Sequence, residues 1–394
     1  MKREAVIVSA VRTPVGRCRG ALAAVGAPEL GALVIAEAVR RAGLQGEEVE
    51  EVIFGNLGNN DSANLARVVT LQAGLPFTVP AITIDRQCSS GLNAIAIGAL
   101  MIEAGEADIV VAGGTESDSN RPHLMEKARV AYQVAPPQWL VRRTAPGALN
   151  VSMGTTAENL GRKYHITREE CDAFALESHR KAAAAQAAGR FDAQMIPVTV
   201  PGKRGKTTVV DRDECVRPES TMETLGRLPT AFEPDGVCTA GNSSPMSDGA
   251  GAVVLMDRET AEKKGLEPLA VFRGFAVTGC DPSIMGIGPV EAIRKVLRKT
   301  GLTLEEMDLI ELNEAFATQS IACIRELGLD MDKVNVNGGA LALGHPLAGT
   351  GAILTAKLLY ELKRRRARYG LVAFCMAGGK AAPRYLSGSD GKDE

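Results

Sequence analysis

Apolar and polar positions along the chain fall into two recurring patterns. Short β-branched runs that end in glycine or at a polar turn, such as DIVVAGG (108–114), GAGAVVLMD (249–257) and GLVAFCMAGG (370–379), read as buried strands. Longer stretches carry apolar residues at helical spacing. The most extreme, GLNAIAIGALMIEAG (91–105), is apolar on nearly every face, which predicts a helix enclosed on all sides. Just before it, ITI (82–84) alternates as a strand. ITREECDAFALESHRKAAAAQAAG (166–189) predicts a long helix opened by a capping box of Thr167 and Glu170.

The patterns occur twice. RRAGLQGEEVEEVIFGN (40–56) resembles RKTGLTLEEMDLIELNE (298–314), with Gly43 on Gly301, Leu44 on Leu302 and Glu47-Glu48 on Glu305-Glu306. Each copy reads as a helix ending at glycine, a short amphipathic segment and a strand. The offset of 258 carries Cys88 to within one residue of His345. We therefore expect an α/β fold of two duplicated halves, residues 1–258 and 259–394. Within the first half, about 119–248 reads as an insertion. It contains ARVAYQVAPPQWLVRR, the capped helix, a basic turn at KRGK and GNSSPMSDGA; the tail SGSDGKDE is expected to fray.

Composition narrows the function. With 394 residues, 45 % of them apolar, the chain is long enough for more than one core. Forty-five basic against 47 acidic residues give a net charge of −2, which argues against nucleic acid and membrane surfaces as partners. There is no run of eighteen apolar residues, and MKREAVIVSAVRTP passes straight into a strand pattern, so the expected location is cytoplasmic. The eight cysteines form no C-x-x-C pair, so reduced thiols are expected, with no metal centre. GIGPVEA lacks a third glycine in register, and there is no phosphate-binding P-loop.

Two cysteines stand apart. Cys88 in IDRQCSSGLNA lies between a strand and the amino end of the all-apolar helix, where free N–H groups and the dipole lower a thiol pKa and can hold an oxyanion. Cys375 closes a strand before a glycine turn. His345 lies in a glycine-flanked loop, and Pro346 keeps it out of helical geometry; His123, His165 and His179 lack such a setting. Asn313 ends the strand DLIEL, where an amide can orient a water or donate to developing negative charge.

In order along the chain, RQCSSGLNA, NEAFA, GGALALGHPLAGTGA and CMAGG resemble the signature blocks of the thiolase family, and MGTTAENL and GNSSPMSDGAG resemble further ones. The resemblance spans essentially the whole chain. It implies a layered αβαβα fold with two similar mixed-sheet halves and an inserted loop domain, and a homodimer or homotetramer. Cys88 would take an acyl group from an acyl-CoA, with His345 removing its proton. Cys375 would deprotonate the incoming CoA thiol and protonate the leaving acetyl-CoA carbanion. Asn313, through a water, and His345 would hold the enolate oxygen, and the N–H groups of Cys88 and Ala377 a second oxyanion. Ser244 would contact the pantetheine arm of CoA and Arg217 its nucleotide, with Met153, Phe232, Ala315 and Phe316 lining the tunnel. CoA and acyl-CoA enter as substrates, and no permanent cofactor is implied.

The RQCSS form is more similar to degradative 3-ketoacyl-CoA thiolases than to biosynthetic acetoacetyl-CoA thiolases. The alternatives are acetoacetyl-CoA synthesis by the same chemistry and a noncatalytic acyl-CoA-binding protein of thiolase type. A decarboxylating ketosynthase is disfavoured by the Cys375 motif. Ala377 and Ala381 replace glycines of the usual last block, Ser152 replaces a histidine of many biosynthetic enzymes, and Pro245 also departs from common forms. If position 377 needs a positive φ, alanine there is strained.

Overall fold

The computed structural model describes residues 3–58, 62–127, 130 and 144–388, with backbone alone at 203 and 380–385. Most of ARVAYQVAPPQWLVRR and the tail 389–394 lie outside the described residues.

The principal elements of the first half are β1 (Ala5–Arg12), α1 (Ala27–Arg41), β2 (Glu51–Gly55), α2 (Leu65–Gln72), β3 (Ala81–Ile84), α3 (Ser90–Ala104) and β4 (Ile109–Ser117). The insertion contributes α4 (Met153–Lys163) and α5 (Arg168–Ala187), and the chain returns to the sheet in β5 (Ser247–Asp257). The second half supplies β6 (Ala270–Phe275), α6 (Gly288–Thr300), β7 (Leu309–Leu312), α7 (Ala317–Leu327), α8 (Leu347–Arg365), β8 (Tyr369–Met376) and β9 (Lys380–Gly388).

Strand pairing repeats between the halves. In the first, β1 pairs antiparallel with β5, β5 antiparallel with β4, β4 parallel with β2, and β2 parallel with β3. In the second, β6 pairs antiparallel with β9, β9 antiparallel with β8, β8 parallel with β7, and Ile310 of β7 bridges in parallel to Val334. Local detail repeats as well. The Glu48 carboxylate accepts from the Gln45 N–H at 2.7 Å, and Glu306 accepts from the Thr303 N–H at 2.7 Å. Gly43 and Gly301 both follow a helix with positive φ, 66° and 72°. One feature differs from two separate sheets: β1 and β6 pair at Val6 with Val271 and Ile7 with Ala270, joining the halves edge to edge.

Period-two alternation in the strands sorts the core into layers. Val52, Phe54, Val111 and Val254 face α1 and α2, where Leu30, Val34 and Val69 meet them. Ile310, Leu312, Leu371 and Ala373 face α6 and α7, against Ile293, Val296 and Cys323. The alternate positions Ile53, Val110, Val253, Val372 and Phe374 share a middle layer with Leu92, Ile95 and Ile102 of α3 and Leu358 and Leu359 of α8. This explains why α3 is apolar on every face: it lies beside α8 between the strands of both halves.

The two central helices touch through glycine. A Cβ on Gly91 would lie 2.5 Å from the Ala348 carbonyl oxygen, one on Gly114 2.2 Å from the same atom, and one on Gly351 2.1 Å from the Leu92 nitrogen. Only hydrogen fits at such separations. Cys88 precedes Gly91 by three residues and His345 precedes Ala348 by three, so this contact fixes the two chain segments that carry the candidate nucleophile and base.

Candidate active site

Cys88 occupies a tight turn between β3 and α3. Gln87, immediately before it, has φ of 51°, the left-handed region that side chains other than glycine seldom enter. The turn is held from both sides. Ser90 Oγ accepts from the Arg86 N–H at 2.7 Å and donates to the Gln87 carbonyl at 2.7 Å, and Asp85 accepts from the Gln87 N–H at 2.8 Å. Strain concentrated beside a reactive group and tied down by neighbours is typical of a functional turn.

The backbone N–H groups of Cys88 itself and of Ala377 both act on the Cys88 thiol and hold its pKa down. They do not win. Burial pushes the thiol up to about 11, whereas its place at a helix amino end suggested a lowered value. Cys88 therefore rests as a neutral thiol. Ala377 follows the end of β8 without the positive φ that would strain alanine, while Gly378 and Gly379 take the left-handed conformations, at φ 80° and 73°. At Ala381, β9 continues in regular pairing with Cys375.

Cys375 is 2 % exposed, and burial with the nearby Cys88 thiol raises its pKa well above the ordinary value. It packs with Met285 and Ala315, against which Met153 and Phe316 lie. Asn313 follows β7 and donates its N–H to the Ala373 carbonyl at 2.9 Å, which sets it beside the end of β8. Its side-chain Oδ1 and Nδ2 are both buried without a hydrogen-bond partner among the described residues. An amide held this way is primed for a ligand or a water.

His345 stands before α8. Its N–H donates to Ser247 Oγ at 3.2 Å, and its Nδ1 pairs with Thr350 Oγ1 at 2.7 Å. Nε2 is buried and has no partner among the described residues. Burial lowers the imidazole pKa to about 4, so at neutral pH it is uncharged. In the tautomer whose Nδ1–H donates to Thr350, the free lone pair is on Nε2, as a general base requires.

Of the residues expected to contact CoA, Ser244, Ala315, Phe316, Phe232 and Met153 fall on adjoining segments. The Ser244 N–H donates to the Ala315 carbonyl at 3.0 Å, and Ser243 bridges to Phe316. The Phe232 ring, 44 % exposed, covers Gly154 and meets Phe316 edge-on with centroids 5.9 Å apart. Arg217 is exposed on the rim of a cavity of about 710 Å³ bounded by Leu225, Leu228, Gly241 and Pro245. Ser152, at the histidine position, caps α4 by accepting from the Thr155 N–H at 3.1 Å.

Several residues escaped the sequence reading. Thr350 and Met285 gave no signal apart from their contacts in space. His179, set aside earlier, borders the same cavity and accepts from the Arg217 N–H at 3.2 Å. Glu116, at the end of β4, is fully buried; burial raises its pKa to about 7 against the opposing effect of Arg121, and its charge acts on Cys88. Glu314, next to Asn313, accepts from Ser178 Oγ at 2.7 Å, Asn335 Nδ2 at 2.7 Å and the Leu341 N–H at 3.2 Å, tying Asn313 to the loop that leads to His345.

This site on a doubled α/β scaffold defines an acyl-transfer protein of the thiolase kind. Residues 5–259 match the thiolase N-terminal domain and residues 266–387 the thiolase C-terminal domain, and the chain belongs to the thiolase family. It is 48 % identical over 391 residues to the 3-ketoacyl-CoA thiolase of Bacillus subtilis, covering 96 % of this chain and 98 % of that protein. Over 381 residues it is 46 % identical to the acetyl-CoA acetyltransferase of Chromobacterium violaceum, covering 95 % and 97 %. Among solved structures, the Bacillus anthracis acetyl-CoA acetyltransferase superposes with a TM-score of 0.94 at 44 % identity, covering 98 % of this chain and 99 % of that one. Human mitochondrial 3-ketoacyl-CoA thiolase in complex with CoA superposes at 0.92 with 41 % identity, covering 98 % of each.

Proposed function

We propose that the protein is an acyltransferase that cleaves 3-ketoacyl-CoA with CoA, giving acetyl-CoA and a shortened acyl-CoA, and that it catalyses the reverse condensation through the same Cys88 acyl-enzyme. The observations that carry this reading are that the Cys88 thiol, met by two backbone N–H groups, acts on the buried Cys375 thiol, and that His345 Nε2 and the Asn313 amide are buried without partners among the described residues.

The steps follow from the resting protonation states. Cys88 and His345 begin neutral, so the thiol proton passes to Nε2 as sulfur attacks the 3-keto carbon, and no buried ion pair has to be maintained beforehand. The carbon–carbon bond then breaks. Its electrons move into the acetyl-CoA fragment, whose enolate oxygen is met by His345 and by a water on Asn313, and Cys375 supplies the proton to carbon. CoA enters and gives its thiol proton to Cys375, and its sulfur attacks the Cys88 thioester. The resulting oxyanion faces the N–H groups of Cys88 and Ala377, and its collapse releases the shortened acyl-CoA and the Cys88 thiolate, which takes back the proton held on His345 Nε2. Condensation runs these steps backwards, with Cys375 removing an α-proton of acetyl-CoA. Relatives named for each direction match at similar identity, in keeping with one reversible chemistry.

Ser244, Met153, Phe232, Ala315 and Phe316 would line the pantetheine path and Arg217 its outer end. Because the histidine position of many biosynthetic enzymes holds Ser152, which is engaged in capping, the degradative direction is favoured. We further propose a homodimer or dimer of dimers. Among the described residues β3 ends the sheet, Ile82 on it is 52 % exposed, and Phe77 just before it is 86 % exposed, an apolar strand edge suited to a second copy. No helix among the described residues is long and apolar enough to cross a membrane, and all eight cysteines are unpaired, which suits the reducing cytoplasm.

The test is initial-rate kinetics with CoA and a 3-ketoacyl-CoA as varied substrates. Parallel double-reciprocal lines, abolished in Cys88→Ala, support the covalent half-reactions. Intersecting lines, or turnover surviving in the variant, refute them.

A further inference from the structure

We infer that Arg168, Asp172 and Asn242 form a clamp that fixes the spacing between the two walls of the CoA cavity, and that as positioning residues they govern affinity for the nucleotide part of CoA. The inference rests on the CoA reading above. One wall is the stretch holding Leu225 and Leu228; the other is the loop holding Gly241 and Pro245.

The clamp starts on the first turn of α5. Arg168 Nη2 donates to the Leu225 carbonyl at 2.7 Å and the Leu228 carbonyl at 2.9 Å, and its Nε donates to Asp172 Oδ2 at 2.8 Å. Leu225 lies in a short helix, Met222–Gly226, and its carbonyl also accepts from the Leu228 N–H at 3.0 Å, so the guanidinium is a second donor to it and ties the helix end to the turn that follows. The other Asp172 oxygen accepts from Asn242 Nδ2 at 2.8 Å. Asn242 then organises the opposite wall. Its Nδ2 donates to the Val237 carbonyl at 3.0 Å, its Oδ1 accepts from the Thr239 N–H at 2.8 Å, and its carbonyl accepts from the Ala317 N–H at 3.0 Å. Asp172 is 1 % exposed and Asn242 fully buried, so water does not weaken the bond between them, while Arg168 is half-buried.

The walls so joined are in contact. A Cβ on Gly241 would lie 2.6 Å from Leu228 Cδ1 and 2.7 Å from Leu225 Cδ2. The clamp thus holds two leucines against a bare backbone in the cavity lining, where a small change in spacing alters the fit of what the cavity holds. Cys88, Cys375 and His345 are held by other elements, so the clamp bears on binding at the outer end and leaves the chemistry alone.

The experiment measures dissociation constants of CoA and of pantetheine by calorimetry, together with kcat and KM, for wild type, Arg168→Met, Asp172→Asn and Gly241→Ala. Gly241→Ala pushes the walls apart from the far side with the clamp intact. Circular dichroism confirms folding of each. Loss of two carbonyl hydrogen bonds from a charged donor weakens CoA binding about tenfold in Arg168→Met. Pantetheine binding stays within about twofold, KM for CoA rises and kcat is little changed; Gly241→Ala reproduces this pattern. The proposal is overturned if folded Arg168→Met binds CoA as wild type does, or if CoA and pantetheine weaken equally. Wild type that binds CoA yet transfers no acyl group would refute the proposed reaction while leaving the clamp intact, whereas wild type that binds no CoA would refute both.

Discussion

The contact between α3 and α8 can be tested by adding a single methyl group, Gly351→Ala. A Cβ there would stand 2.1 Å from the Leu92 nitrogen and 2.9 Å from the Gly91 carbonyl carbon, all of it backbone with no side chain free to swing away. To reach van der Waals separation the helix starts must part by roughly 1 Å. Two effects oppose each other. Alanine in a helix interior is favoured over glycine by about 1 kcal/mol, while overpacking costs about 1–3 kcal/mol, so the net loss of stability is on the order of 1 kcal/mol and the protein stays folded. Catalysis is far more sensitive, because the parting segments carry Cys88 and His345 and a misplacement of about 1 Å can cost about 100-fold. The assay pairs kcat for thiolysis with the thermal midpoint. The expected result is a midpoint lower by a few degrees and kcat reduced about 100-fold. A folded variant with near-wild-type kcat would show that the glycine contact does not set the site geometry.

Three further outcomes follow from the same geometry. Thr350→Val leaves His345 Nδ1 unpaired in a buried site and frees the imidazole to take the wrong tautomer; a loss of about 1–3 kcal/mol corresponds to kcat lower by roughly 5–150-fold, and Thr350→Ser, which keeps the hydroxyl, restores most of it. Because burial sets the His345 pKa at about 4, the base stays competent until near that pH, so the acid limb of kcat/KM attributable to it lies near 4 and not near 6.5. Lys357, fully buried, bonds Glu311 at 3.0 Å and the Gly338 carbonyl at 2.7 Å, so Lys357→Met strands the Glu311 carboxylate at a cost of about 3–5 kcal/mol. Burial already raises the Glu311 pKa, and a raised folded-state pKa means stability is lost as pH rises. Urea midpoints should therefore show a larger deficit for Lys357→Met at pH 8 than at pH 5.

What could be read from the sequence depended on how local the cause was. The all-apolar α3, the repeated helix-glycine-strand unit and the settings of Cys88, His345, Asn313 and Cys375 are written in short windows by glycine, proline and apolar period. The join between β1 and β6 depends on edges that no window reveals. Thr350 lies five residues past His345 in a helix, and only the fold of Pro346 and Leu347 brings its hydroxyl to Nδ1. The Arg168 clamp links α5 to two distant loops. The Cys88 thiol shows the limit most clearly. Its helix-end position is legible and its N–H contacts are present, but burial, which comes from the whole fold, outweighs them. The concern over Ala377 dissolves for a comparable reason, since the positive φ values fall on the next two glycines.

The central claim, a covalent acyl-enzyme on Cys88, is tested most directly by intact-protein and peptide mass spectrometry after brief mixing with acetoacetyl-CoA and with acetyl-CoA. The account predicts an acetyl adduct on the Cys88 peptide that is absent in Cys88→Ala and is discharged by added CoA. Turnover without any adduct on that peptide, or an adduct on Cys375 that persists in Cys88→Ala, would contradict it.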